Sequence, residues 1–166
     1  INVRGLLFTT QVIAAQMIAA GKGGKIINFS SQAGRRGEAN VTVYCATKAF
    51  VHSFTMSLRH QLRGTSVRVV ELAPPWVKTD LDASHETPAS HEGMSPMPLA
   101  DFIAAAMADL ATGGDELPVA GAKFLYNGGV SETRASRVGQ PPVPEPNDPQ
   151  FTLYQTSVGA TWQIDL

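Results

Sequence analysis

Tyr44 and Lys48 stand four residues apart in the stretch YCATK. On a helix, side chains at i and i+4 share a face. A phenol titrates near pH ~10 when unperturbed, so it exchanges protons poorly at neutral pH. A cation within about 4–6 Å favours the phenolate and lowers that value. A lysine one turn along therefore equips the phenol for acid–base work. Such work also needs a group that holds a substrate oxygen beside the phenol. Ser31, in INFSSQAG, offers a hydroxyl. Taken alone, the Tyr–Lys spacing is that of any two polar residues on a solvated helix face. The surrounding elements decide between the two.

NVRGLLFTTQVIAAQMIAAGKGGK reads as a helix, with Val3, Leu6, Leu7, Ile13, Met17 and Ile18 at roughly helical spacing. The Gly-Lys cluster from Gly21 stops it. KIINFSS is a short apolar run that fits a strand buried on both faces, as in a parallel sheet. SQAGRRGEANVT is rich in turn formers. From Thr42 to Arg63 the helical pattern returns, with Val43, Phe50, Phe54 and Leu58 on nearby faces. TSVRVVELA is a second buried-type strand, and LADFIAAAMADLAT a third helix closed by Gly113 and Gly114. LPVAGAKFLY is expected to form a last strand. Helices alternating with buried strands predict an α/β fold with a doubly wound parallel sheet. Ligands of such sheets lie beyond the carboxyl ends of the strands. The first strand delivers Ser30 and Ser31 there, and the second delivers APPWVKT.

Two segments resist that frame. PPWVKTDLDASHETPASHEGMSPMP is long and irregular, the kind of loop that serves as a lid or stays disordered. Its His85 and His91 are six apart with Pro88 between them, so they do not make the i, i+4 pair of a zinc-protease helix, and no metal is expected. Trp76, Met94 and Met97 in this region are candidates to line a substrate pocket. Residues 127–166 include VGQPPVPEPNDPQ and are expected to be an extended or disordered tail, leaving 1–126 as the folded part.

Composition narrows the function classes. The 166 residues are 43% hydrophobic and 16% charged, with a formal net charge of −1. This balance suits a globular domain and gives no basic surface for nucleic acid or an anionic membrane. No apolar run is long enough to span a bilayer. Cys45 is the single cysteine, so no internal disulfide forms and a cytoplasmic location is expected. Cys45 has no neighbouring base and reads as a packed side chain rather than a nucleophile.

With these motifs placed, the sequence resembles the short-chain dehydrogenase/reductase family. YCATK matches its Tyr-x-x-x-Lys motif, and INFSSQAG resembles the strand bearing its catalytic serine. Ser31, thirteen residues before Tyr44, stands at the family's usual interval and is preferred to Ser30. NVRG resembles the family's Asn-x-x-Gly, and PPWVKT its Pro-Gly-x-Val-x-Thr segment. The matches run in order from Asn2 to about Thr79, weaken through Tyr126 and vanish beyond it.

The resemblance implies a Rossmann-like fold and hydride transfer between NAD or NADP and a small molecule that carries a hydroxyl or carbonyl. Tyr44 would give or take the substrate proton. Lys48 would tune Tyr44 and bind the nicotinamide ribose. Ser31 would orient the carbonyl, and Asn2 would hold a water that links Lys48 to solvent. Pro74, Val77 and Thr79 would meet the nicotinamide end of the cofactor. Homo-oligomers through the two long helices are also implied. Pro75 replaces the family's usual glycine, which stiffens that turn. The family's strand, Gly-rich turn and helix that hold the pyrophosphate do not appear. GKGGK follows a helix and precedes a strand, the wrong order. The sheet is therefore expected to be incomplete at its N-terminal side. The 166 residues as they stand are expected neither to bind the dinucleotide tightly nor to turn over, and to be poorly soluble alone. The alternative is a non-enzymatic remnant or interaction module that associates through its long helices.

Overall fold

Gly21 ends the first helix, as its position predicts. In the computed structural model, which describes residues 2–35, 37–38, 41–81 and 95–127, helix α1 spans Arg4–Ala20. Gly21 adopts a left-handed conformation (φ 64°) and donates its N–H to the Ile18 carbonyl at 3.1 Å. Glycine takes that conformation without a Cβ clash. Thr10 and Ala14 are the buried residues of α1. Val3, Leu7 and Met17 continue their line at steps of three and four and are partly covered. Ile13, expected in the apolar stripe, is instead exposed. It lies about 100° around the helix from Ala14.

Strand β1 (Gly24–Phe29) pairs in parallel with β2 (Val67–Ala73), from Gly24 opposite Val67 to Phe29 opposite Leu72. β2 pairs in parallel with β3 (Glu116–Pro118), giving the order β1-β2-β3. Burial on both faces was the expectation for β1 and β2. It holds for β2, where only Arg68 is exposed. It fails for β1, where Asn28 alone is buried and Phe29 is 53% exposed. The reason is position: β2 is central, whereas β1 is an edge strand of the described sheet.

Successive side chains of a strand point to opposite faces. Val70 and Leu72 accordingly enter one apolar cluster with Ala106, Leu117 and Val119. Phe102, Ala105 and Leu110 of helix α3 (Leu99–Ala111) pack against that cluster. Glu71, between them, turns to helix α2 (Thr42–Gln61), where it meets His52. Helices thus cover both faces of β2, and the sheet is the doubly wound parallel type. Leu58 and Leu62 are fully buried, a contribution of about 1.5–3 kcal/mol each.

The buried residues of α2 are Cys45, Val51, Thr55 and Leu58. Phe50 and Phe54 stack at 5.8 Å between centroids. Val43, grouped with them by spacing, is 77% exposed, because the first turn of α2 presents it away from the sheet. The expected last strand is also corrected. Only Glu116–Pro118 is strand, and Ala122–Asn127 forms a short helix, α4. Ala120 takes a positive φ of 47° at the break. Val119, Ala122 and Tyr126 are buried at steps of three and four, a helical period that an apolar run of this length conceals. Asn127 closes α4, and the rest of the expected tail lies outside the described residues. Among the described residues, no helix is long and apolar enough to cross a membrane.

Candidate active site

Two hydrogen bonds carry the parallel pairing past the end of β1. Ser30 N–H donates to Leu72 O and Gln32 N–H to Pro74 O, both at 2.9 Å. They hold Ser30 and Ser31 against the carboxyl end of β2. A single 3-10 turn, Gln32–Arg35, follows. Ser31 is buried, and its Oγ accepts the Ala33 N–H at 3.1 Å. That bond uses an acceptor site and leaves the hydroxyl proton to donate.

The turn lies directly on α2. A Cβ added to Gly34 would come within 2.7 Å of the Lys48 carbonyl carbon and 2.8 Å of its oxygen. Glycine at this position is what lets the serine-bearing turn approach the lysine backbone. Gly34→Ala is expected to destabilise the protein by about 1–3 kcal/mol through overpacking and to lower turnover with it. Thermal unfolding checks the first half. An unchanged Tm would show that the turn yields without cost.

Lys48 reaches back to the first strand. Its Nζ donates to the Phe29 carbonyl at 2.9 Å and stands 5.7 Å from the centroid of the Tyr44 ring. That separation is within cation–π range. Burial lowers the Lys48 pKa from the usual lysine range. Tyr44 is 37% exposed, so its face of the helix is open to a ligand. Asn2 donates from Nδ2 to Thr47 Oγ1 at 3.1 Å, and Thr47 Oγ1 donates to the Tyr44 carbonyl at 2.8 Å. Asn2 therefore meets the YCATK segment through Thr47.

Pro74, Val77 and Thr79 occupy the segment after β2. Pro74 is tied to Gln32 by the bond above. Val77 forms a parallel bridge with Met97, with Lys78 N–H donating to Met97 O and Met97 N–H to Trp76 O, each at 2.9 Å. These contacts draw together the two ends of the long Pro-rich segment. Thr79 is exposed beyond them. His85, Glu86, His91, Glu92 and Met94 lie outside the described residues.

A second polar cluster was not anticipated. Glu71, in the middle of β2, is fully buried. Its Oε1 accepts from Ser30 Oγ at 2.5 Å and from Tyr126 OH at 2.9 Å, while Oε2 is 2.7 Å from His52 Nδ1. Arg35 lies over the Tyr126 ring, 3.9 Å from its centroid, and pairs with Glu116. Burial pushes the Glu71 carboxyl up, but hydrogen bonds from His52, Ser30 and Tyr126, with the attraction of His52, prevail and hold it below the usual range. Burial and the Glu71 charge push the Tyr126 phenol up to about 12, so it remains a donor. Ligand atoms of His52, Glu71 and Glu116 lie within 4.8 Å of one another. Arg35 already neutralises Glu116, however, and Glu71 has three partners, so the donor set is that of a closed network rather than a cation site. The signal in the sequence was a carboxylate flanked by Val70 and Leu72, since a charge in such a strand needs partners.

The lowered Glu71 pKa has a signed consequence. The unfolded chain binds this proton at a higher pH than the folded one. The stability Glu71 contributes is therefore complete above the ordinary glutamate pKa of about 4.3 and is lost as pH falls through the folded value. Thermal unfolding measured from pH 7 to pH 3 is expected to show a steeper acid loss of Tm for the native protein than for Glu71→Gln. Parallel curves would remove Glu71 from that role.

The short chain dehydrogenase family model matches residues 1–89, more than half of the chain. The chain belongs to that family. It is 58% identical over 74 residues to sorbitol dehydrogenase of Cereibacter sphaeroides, covering 45% of this chain and 29% of that protein. To galactitol 2-dehydrogenase of Agrobacterium fabrum it is 49% identical over 74 residues, with the same coverage of 45% and 29%. A short chain dehydrogenase from Burkholderia cenocepacia, solved in complex with NADP, superposes with a TM-score of 0.66 at 23% identity, covering 82% of this chain and 54% of that one. That last likeness is one of fold. The chain spans under a third of the length of these two curated relatives.

Proposed function

We propose that the protein carrying these residues is an NAD- or NADP-dependent oxidoreductase that interconverts a hydroxyl and a carbonyl on a small molecule. The observation that carries the reading is the Lys48 ammonium, held on the Phe29 carbonyl and set beside the Tyr44 ring. The donor set suits the nicotinamide end of a dinucleotide. Lys48 offers N–H groups beyond the one that Phe29 uses, and Tyr44 and Thr79 present hydroxyl-bearing side chains on exposed residues. When bound, the nicotinamide supplies or accepts the hydride.

In this reading Tyr44 donates its phenolic proton to the substrate oxygen in reduction and takes it back in oxidation. Lys48 stabilises the phenolate and orients the ribose hydroxyls. Ser31 donates its hydroxyl proton to the substrate oxygen and holds it near Tyr44. Asn2 steadies the YCATK segment through Thr47 and places the water that connects Lys48 to solvent. Pro74, Val77 and Thr79 line the carboxamide side. A polyol substrate is favoured by the likeness to sorbitol and galactitol dehydrogenases.

The test is a spectrophotometric assay of nicotinamide oxidation and reduction with a panel of polyols and the matching ketoses, run with each cofactor on the protein that carries these residues rather than on the 166 residues alone. Turnover with one cofactor and at least one polyol is expected. Tight dinucleotide binding with no turnover on any hydroxyl or carbonyl compound would overturn the reading.

Self-association through α1 and α2, in the cytoplasm, belongs to the same proposal. Phe8 and Val12, one turn apart on α1, are 59% and 55% exposed. The same exposure favours the second reading, in which the 166 residues by themselves act as an association module. Dinucleotide titration separates the two, because a module binds a partner chain and no cofactor.

A further inference from the structure

We propose that Glu71 and His52 are positioning residues, which set the Ser31 hydroxyl against the Tyr44–Lys48 pair by clamping Ser30. The inference rests on the active-site reading above and adds to it two residues that touch neither substrate nor cofactor. Ser30 and Ser31 are consecutive, so the direction in which one side chain is held constrains the other. The Ser30 hydroxyl is committed to Glu71 at 2.5 Å, at a site where both residues are buried. Glu71 in turn is anchored on α2 by His52 Nδ1 at 2.7 Å. His52 is one turn from Lys48 and two turns from Tyr44. One carboxylate thus connects the strand end that carries the serine to the helix that carries the phenol and the ammonium.

Neighbouring contacts extend the same attachment. Along α2, Lys48 bonds Phe29 O, Thr55 Oγ1 accepts from Asn28 Nδ2 at 3.0 Å, and Arg59 Nε donates to Val69 O at 2.9 Å. Tyr126 of α4 donates to the same carboxylate oxygen as Ser30, with the guanidinium of Arg35 over its ring. Stability alone does not call for such a device. Taking a carboxylate out of water costs several kcal/mol, and apolar residues in place of buried ion pairs are often neutral or stabilising. Geometry does call for it, because displacement of a reacting group by about 1 Å can cost 10²-fold in rate.

The test is a kinetic cycle on the active protein, with turnover expressed per folded molecule and measured well below the Tm of each variant. Glu71→Leu is expected to lower kcat by about 10- to 10²-fold while KM for the dinucleotide stays within a factor of about 2. Glu71→Gln, which still accepts from Ser30 and Tyr126, is expected to restore most of the loss. In the Ser31→Ala background Glu71→Leu is expected to have almost no further effect, since residues acting through one group are not additive. Ser30→Ala removes the clamp by one hydroxyl and is expected to lower kcat in the same way should the leucine variant fail to fold. Full additivity with Ser31→Ala, or a lowered Tm with unchanged kcat, would make the network purely structural and overturn the proposal. A Ser31→Ala protein with native kcat would instead overturn the active-site reading itself.

Discussion

Tyr44→Phe is expected to lower kcat by about 10²–10⁴-fold, the usual worth of a positioned acid–base group. Dinucleotide affinity is expected to stay within a few-fold of the native value. The substitution removes one oxygen and keeps the ring that stands 5.7 Å from Lys48 Nζ. Because the residue is exposed at the first turns of α2 and its backbone carbonyl is already engaged by Thr47, the fold loses little. Rate and binding therefore separate cleanly in this variant. Steady-state kinetics beside a fluorescence titration of the reduced cofactor measure both. A Tyr44→Phe protein with most of its kcat would mean that the proton travels by another group.

Lys48→Met is expected to damage both quantities. In the proposed role Lys48 makes charge-assisted hydrogen bonds to the cofactor, each worth about 1.5–3 kcal/mol, and their loss is expected to raise the dinucleotide KM by about 10- to 10²-fold. Losing the cation beside Tyr44 removes what favours the phenolate, so kcat at neutral pH falls as well. The pH profile carries a separate signature. In the native protein, oxidation is expected to rise with pH as the phenol ionises, at a pH below that of a free phenol, which titrates at about 10. Burial lowers the Lys48 pKa, so the ammonium loses its charge before an exposed lysine would. The native profile is expected to fall again at its alkaline end, as Lys48 deprotonates. The methionine variant is expected to show neither limb at those positions, its rise moving toward the free phenol value. Intact KM and kcat in Lys48→Met would reduce the pair to a structural contact.

What could be read without the fold was whatever depends on local geometry. The i, i+4 relation of Tyr44 and Lys48, the stop at Gly21, the apolar run of β2 and the helix from Leu99 follow from the periods of the backbone itself. Those periods are fixed within one or two turns. The same local rules misplaced Ile13 and Val43, because spacing identifies an apolar stripe but not which edge of it meets the sheet. They also ran the last strand on to Tyr126, into the short helix Ala122–Asn127, where the helical period is under two turns long.

The tertiary structure alone decided which strand is buried and what each polar group meets. β1 and β2 both read as buried strands in sequence, yet among the described strands β2 alone has a strand on either side, with α3 on one face and α2 on the other. Lys48 ends on a carbonyl 19 residues upstream, and Glu71 is shared between Ser30 and Tyr126, 41 residues before it and 55 after. A buried charge must find donors. The sequence announces that need in VRVVELA, but only the folded chain, by bringing distant segments within hydrogen-bond reach, determines which residues meet it.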